Sequence, residues 1–268
     1  MGEVIVVTSG KGGVGKTTTT ANLGVSLSRT GHSVVMIDTD IGLRNLDVVM
    51  GLENRIVYNL VDVVTGICRL KQALIKDKRY KNLYLLPSAQ SKDETSVCPE
   101  QIKKLTDELS KEYDYILIDC PAGIGHGFKN AIAGADSAII VTTPEISSLR
   151  DADRINDILE KEGIINKKLI INRIRPEMIR KRKMMSPEDI INILDIELLG
   201  LIYDDENVII SSDKGEPLSE DISYAGQAYK NIAERICGNT VDFMKLYNND
   251  SKLIKFFARL SGSRRDCV

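Results

Sequence analysis

Seven short runs rich in Val, Ile and Leu recur along the chain: EVIVVTS (3–9), SVVMID (33–38), LYLLPS (83–88), YILIDC (115–120), SAIIVTT (137–143), KLIIN (168–172) and LGLI (199–202). A strand with one face in water alternates apolar with polar residues, whereas near-continuous apolar runs mark strands covered on both faces. Helical apolar spacing fills the intervals at Lys16–Thr30, Pro99–Glu112, Leu149–Glu162 and Pro187–Leu194. Such alternation predicts an α/β fold, a mostly parallel Rossmann-like sheet with helices on both faces and right-handed crossovers. The pattern reads as one domain over 1–247. Asn248-Asn249-Asp250-Ser251 is a polar break, so 248–268 reads as a linker and a separate C-terminal helix.

The first apolar run leads into Gly10-Lys11-Gly12-Gly13-Val14-Gly15-Lys16-Thr17-Thr18, and a helical pattern follows it. The spacing GxxxxGK[ST] between a strand and a helix is that of a P-loop. Its glycines let consecutive N–H groups turn inward onto phosphate oxygens, and the helix N-terminus adds its positive dipole end. Lys16 is expected to reach the β- and γ-phosphates of ATP, and the Thr17 hydroxyl to ligate Mg²⁺. Two further runs end in carboxylates. Asp119 closes YILID and is expected to hold magnesium through water, before the turn Cys120-Pro121-Ala122-Gly123. Asp38 closes VVMID, and Asp40 lies two residues on, where it is expected to orient the attacking water from outside the inner coordination of the metal.

Composition narrows the partners. A net charge of −2 gives no global attraction to nucleic acid or anionic lipid, so such a partner must meet a local patch. Five cysteines without a C-x-x-C pair, beside only two histidines, fit reduced cytosolic thiols and no zinc site. The start MGEVIVVTSG carries Glu3 and breaks at Gly10, which does not fit a cleaved leader, and no apolar run is long enough to span a membrane. A local patch does exist at the end. KLIKFFARLSGSRR (252–265) places Leu253, Phe256, Phe257 and Leu260 on one helical stripe, while Lys252, Lys255 and Arg259 gather opposite. A basic amphipathic helix of this kind suits an interface rich in anionic lipid.

Lys11 is a second cation inside a loop that needs one. KGGVGKT resembles the deviant P-loop of the MinD/ParA family of deviant Walker A ATPases. In that family two nucleotide-loaded copies face each other and this lysine crosses to the partner's phosphates, so the resemblance implies an ATP-dependent homodimer with Lys11 catalytic in trans, beside Lys16 and Asp40. Asn172 and Arg173, after KLIIN, then fall where the family contacts adenine. The segments DTDIGLRNLDVVMGLENRIVYNLVDVVTG (38–66), DCPAGIGHGFKNAIAGAD (119–136) and TTPEISSLRDADRI (143–155) are similar to the septum-placing branch. That similarity implies MinC as a partner, MinE as the regulator that stimulates hydrolysis, and a place on the cytoplasmic face of the cell membrane with a cytosolic pool. Arg150, Asp151, Asp153 and Arg154 then fall where MinC and MinE would bind.

Other branches fit less well. The iron-protein and cluster-scaffold relatives need cysteines that CPAGIGHG and the missing C-x-x-C do not supply. A DNA-partition reading would rest on RPEMIRKRKMM (175–185), whose five basic residues also suit a solvated loop, so no specific nucleic acid is expected. A flagellar-placement role and a module that binds nucleotide without hydrolysis stay open at this level. One departure stands out: Tyr203-Asp204-Asp205 occupies a segment where the family usually carries proline, which leaves the adenine contacts there undefined.

Overall fold

The computed structural model describes residues 1–90, 92, 94–218 and 223–244. Its sheet contains β1 (Glu3–Thr8), β2 (Val34–Asp38), β3 (Ile75–Lys76), β4 (Leu83–Leu86), β5 (Tyr115–Asp119), β6 (Ser137–Thr142), β7 (Lys167–Ile174) and β8 (Glu197–Tyr203). The order across it is β3-β4-β2-β5-β1-β6-β7-β8. All neighbours pair in parallel except β3, which runs antiparallel to β4. The seven parallel strands are the seven apolar runs. The sequence reading omitted β3 because two residues are too short for any periodicity to register.

The helices are α1 (Lys16–Arg29), α2 (Leu46–Val49), α3 (Leu60–Val64), α4 (Leu70–Ala73), α5 (Pro99–Leu109), α6 (His126–Ile132), α7 (Ile146–Lys161), α8 (Pro176–Arg180), α9 (Pro187–Leu194), α10 (Glu206–Asp213) and α11 (Tyr224–Ile236). Alternate strand residues feed two cores. Val4 and Val6 face the side packed by α5, α6, α7 and α9, while Ile5 and Val7 face α1 and α11. Covering both faces is what lets each strand be apolar throughout.

Helix α7 begins at Ile146 rather than at Leu149. Its first turn presents the exposed Ile146 and Ser147, which interrupt the buried stripe of Leu149, Ala152, Ile155 and Leu159. Segment 175–185, expected as a loop, opens with the single turn of α8, where Pro176 supplies a pre-set φ at the first helical position. The expected linker and C-terminal helix, 248–268, lie outside the described residues. No helix among the described residues is long and apolar enough to cross a membrane.

Strand order reverses about β1, which has β5 on one side and β6 on the other. The chain leaves β1 toward β2 on one flank and later crosses from β5 to β6 on the other. In open α/β sheets, ligands bind beyond the strand carboxyl ends at such a switch point. Parallel register places Asp119 level with both Val7 and Asp38 there.

Candidate nucleotide site

In the loop after β1, Gly10 and Gly15 leave no room for a side chain. Gly15, the N-cap of α1, has φ 101 and ψ 27, and a Cβ there would lie 2.4 Å from Asn172 Nδ2. A Cβ on Gly10 would lie 2.5 Å from that of Asp151, so the loop is pressed against α7. No side chain caps α1, which leaves its first N–H groups directed at the loop. Lys16 is buried at 8% exposure, and its Nζ donates to Ser9 Oγ at 3.0 Å. Ser9 in turn donates to the Lys11 carbonyl at 2.8 Å, which holds both lysines in register with the loop. The arrangement can bind an anion: it offers N–H donors, a helix N-terminus and a cation in a confined space.

Two fully buried carboxylates face this loop. Asp38 accepts the Asp40 N–H at 2.9 Å on Oδ1 and the Leu46 N–H at 3.2 Å on Oδ2. It therefore fixes both the backbone of Asp40 and the start of α2. Asp119 accepts from the Thr20 hydroxyl at 3.3 Å and is also hydrogen-bonded by Thr17. Burial raises the pKa of both acids, and the neighbouring Asp119 charge adds to the rise at Asp38. At Asp119 the Thr17 hydrogen bond and the Lys16 charge pull the other way, and Asp40 pushes it up again. Three carboxylates around one lysine make a site short of positive charge.

The donors present here, Thr17, Asp119 and Asp40, are hard oxygens, and they fit a magnesium ion. Among the described residues no three His, Cys, Asp or Glu side chains are grouped to hold a metal by themselves. Magnesium suits that condition, because it typically takes one or two protein oxygens and completes its octahedron with phosphate and water.

Lys11 turns back onto its own chain. Its Nζ donates to Glu145 Oε2 at 2.9 Å and to Ser147 Oγ at 3.2 Å. Both partners belong to the start of α7, which the sequence reading placed outside the helix. The ion pair is open to solvent, with side chains 41% and 61% exposed, so it is weak and readily exchanged.

Asn172 is buried at 7% exposure beneath the loop. Its Nδ2 donates to the Val14 carbonyl at 2.8 Å and its Oδ1 accepts the Arg173 N–H at 2.8 Å. One N–H of the carboxamide thus braces the P-loop while its oxygen is held by the adjacent backbone, and an amide carries a second N–H and a second lone pair besides. Arg173 is exposed and left-handed, at φ 57. Tyr203 lies beside Tyr224 with ring centroids 6.2 Å apart, at the end of β8. On α7, Arg150, Asp153 and Arg154 are exposed, whereas Asp151 is half-buried against Gly10. The backbone and Cβ of Asp151 thus pack against the loop. Sequence reasoning passed over Ser9, Thr20, Glu145 and Ser147. The first two lay within reach of a local reading, since each is close in sequence to Lys16.

Comparison with known proteins agrees with this geometry. A family model described as an AAA domain matches residues 2–171. The septum site-determining protein MinD of Bacillus subtilis (strain 168) is 55% identical over 264 residues, which cover 96% of this chain and 98% of that protein. A solved MinC:MinD cell division protein complex from Aquifex aeolicus matches with TM-score 0.82 at 45% identity, covering 91% of this chain and 99% of that one. A septum site-determining protein MinD from Pyrococcus horikoshii OT3, solved with Mg-ADP, matches with TM-score 0.80 at 34% identity, covering 88% and 96%. Sheet order, P-loop, paired strand-end aspartates and near full-length identity converge on one conclusion: the chain belongs to the MinD family of septum site-determining proteins.

Proposed function

We propose that this protein is a Mg-ATP-dependent ATPase switch that positions the division septum. Its ATP-loaded form pairs with a second copy, holds the cytoplasmic face of the cell membrane through the C-terminal segment, and recruits MinC. MinE-stimulated hydrolysis then releases it to a cytosolic pool. The observation that carries the reading is the P-loop with buried Lys16 facing Asp38 and Asp119, two buried acids whose pKa burial raises even though Lys16 acts on Asp119. The relatives solved with Mg-ADP and with MinC support the cofactor and the first partner.

Each residue has a stated task. The N–H groups of the loop and Lys16 bind the β- and γ-phosphate oxygens. Thr17 and Asp119 hold magnesium, which when bound supplies charge neutralisation to the phosphates and to the crowded carboxylates. Asp40, its backbone fixed by Asp38, orients the water and accepts its proton. Lys11 leaves Glu145 and reaches the partner's phosphates, where a cation stabilises charge on the transferring phosphoryl group. Hydrolysis is thereby confined to the dimer.

The membrane step follows from avidity. One short amphipathic helix binds lipid weakly, but a dimer presents two, and the second insertion is effectively intramolecular, a gain of roughly 10²–10⁴. Co-sedimentation of the full chain with anionic liposomes should therefore require ATP rather than ADP, and deletion of 252–268 should abolish it while ATP-driven dimerisation survives. Liposome binding that persists in the truncated protein would overturn the role of the tail. ATP-dependent retardation of DNA in place of liposome binding would favour the partition reading, for which the exposed Lys181, Arg182 and Lys183 are the available cations.

A further inference from the structure

We infer that Arg79, outside the phosphate site, is a positioning residue for the catalytic loop: it locks the ends of α2 and α10 together and so holds Asp38 and Asp40 in place. The inference rests on the ATPase reading of the site above, and deepens it.

The starting point is a buried acid with no place in the chemistry. Asp77, in the turn between β3 and β4, is 1% exposed. It accepts the Arg79 backbone N–H at 2.8 Å and Nε at 3.1 Å on Oδ1, and Nη2 at 2.7 Å on Oδ2. Three hydrogen bonds to one carboxylate fix the plane of the guanidinium. Nη1 donates to the Gly215 carbonyl at 2.7 Å, and Nη2 also donates to the Met50 carbonyl. Met50 is the C-cap of α2, and Gly215 directly follows the C-cap of α10. The last carbonyls of a helix lack intrahelical donors and carry its negative dipole end. One cation therefore serves two helix ends at once.

The two ends are also in direct contact. Gly51 and Gly215 both have positive φ, 61° and 64°, and both terminate their helices in the left-handed region that glycine allows. A Cβ on Gly215 would come within 2.5 Å of Gly51 Cα, and one on Gly51 within 2.7 Å of the Gly215 carbonyl oxygen. Neither glycine can acquire a side chain without forcing the helices apart. A separate contact, beyond Gly215 and off the path through α2, reaches the P-loop helix. The Leu218 N–H donates to Asn22 Oδ1 on α1 at 2.8 Å.

The connection to chemistry runs along α2. That helix is four residues long, anchored at its start by the Leu46 N–H on Asp38 and at its end by Arg79 on the Met50 carbonyl. Asp38 also holds the Asp40 N–H. So short a helix has little stability of its own. With its C-terminal anchor released, α2 gains freedom, and the Leu46–Asp38–Asp40 hydrogen bonds lose their reference. The P-loop and Lys16 do not depend on this path. Nucleotide affinity should be spared while turnover falls.

The test uses Arg79→Lys and Gly215→Ala in the full chain, because Arg79→Ala would leave buried Asp77 without its counter-charge and risks unfolding. Lysine keeps a charge for Asp77 but has no planar fork with which to hold two carbonyls as well. Gly215→Ala leaves Arg79 intact and separates the helix ends by another route. Both variants should lose about tenfold to a hundredfold in kcat, with KM for ATP within about twofold of wild type. Amide exchange should quicken in 40–50 and 206–215 but not in 16–29. Unchanged kcat, or a KM that rises in step with any loss of kcat, would overturn the inference, as would exchange that quickens uniformly across the chain. A wild-type protein that hydrolyses no ATP would instead sink the ATPase reading, and the exchange pattern alone would then decide the bracket.

Discussion

Replacing Glu145 with Gln should tighten the ATP-bound dimer. In the single chain Lys11 Nζ sits 2.9 Å from Glu145 Oε2, and under the proposed function it must leave that partner to reach across the interface. Both side chains are substantially exposed, at 41% and 61%, so the pair is screened and contributes about 0.2–1 kcal/mol. Two such pairs break for each dimer, which costs about 0.4–2 kcal/mol and corresponds to roughly a 2- to 30-fold weakening of association. Glutamine keeps the shape and one acceptor but removes the charge, so most of that cost disappears. The assay is the concentration dependence of mass by light scattering, with a non-hydrolysable ATP analogue, at low and high salt. The gain should shrink as salt rises, because an exposed pair is already screened there. An unchanged or weaker dimer at low salt would refute the idea that Glu145 competes for Lys11.

Two further outcomes follow from the carboxylates. Asp40→Ala should leave ATP binding and dimerisation near wild type and lower turnover by about 10²–10⁴-fold, and near-normal turnover would remove Asp40 from the mechanism. Asp38→Asn should change how stability depends on pH. Burial and the Asp119 charge push the Asp38 carboxyl from 3.8 up to about 8. A carboxyl whose folded pKa is raised stabilises the fold at low pH, and that contribution is lost as pH climbs through the folded value. The nucleotide-free wild type should therefore lose stability relative to Asp38→Asn between about pH 4 and pH 8, as followed by thermal melts across that range. A difference between the two proteins that does not vary with pH would show that Asp38 is not held protonated in the free protein.

Much of this molecule is legible from the chain. The seven parallel strands were readable because strands buried on both faces leave unbroken Val, Ile and Leu runs, and strand period and burial are properties of adjacent residues. The P-loop was readable for the same reason. Gly10, Gly15, Lys16 and Thr17 act at fixed spacing within one turn, so their order is their geometry. Asp38 and Asp119 were readable as strand ends. Their direct adjacency needed the sheet order, which puts β2 beside β5 and brings the two acids level.

The remainder depended on which distant segments the fold brings together. Lys11 meets Glu145 across 134 residues, and Asn172 meets Val14 across 158. Arg79 meets Gly215 across 136, beside a Gly51–Gly215 contact that no local pattern announces. Periodicity records which face of an element is buried but not what buries it. A hydrogen bond between remote segments leaves no trace in the spacing of either one. Asp151 shows the consequence most plainly. By sequence it is one charge among four near the start of a helix, while in the fold its backbone and Cβ are packed where any side chain on Gly10 would have to go. The chain by itself determined the seven parallel strands, the phosphate loop and the acids at the strand ends. Tertiary structure alone decided what holds that loop and its lysines in place, because those contacts exist only once the crossovers have set the strand order.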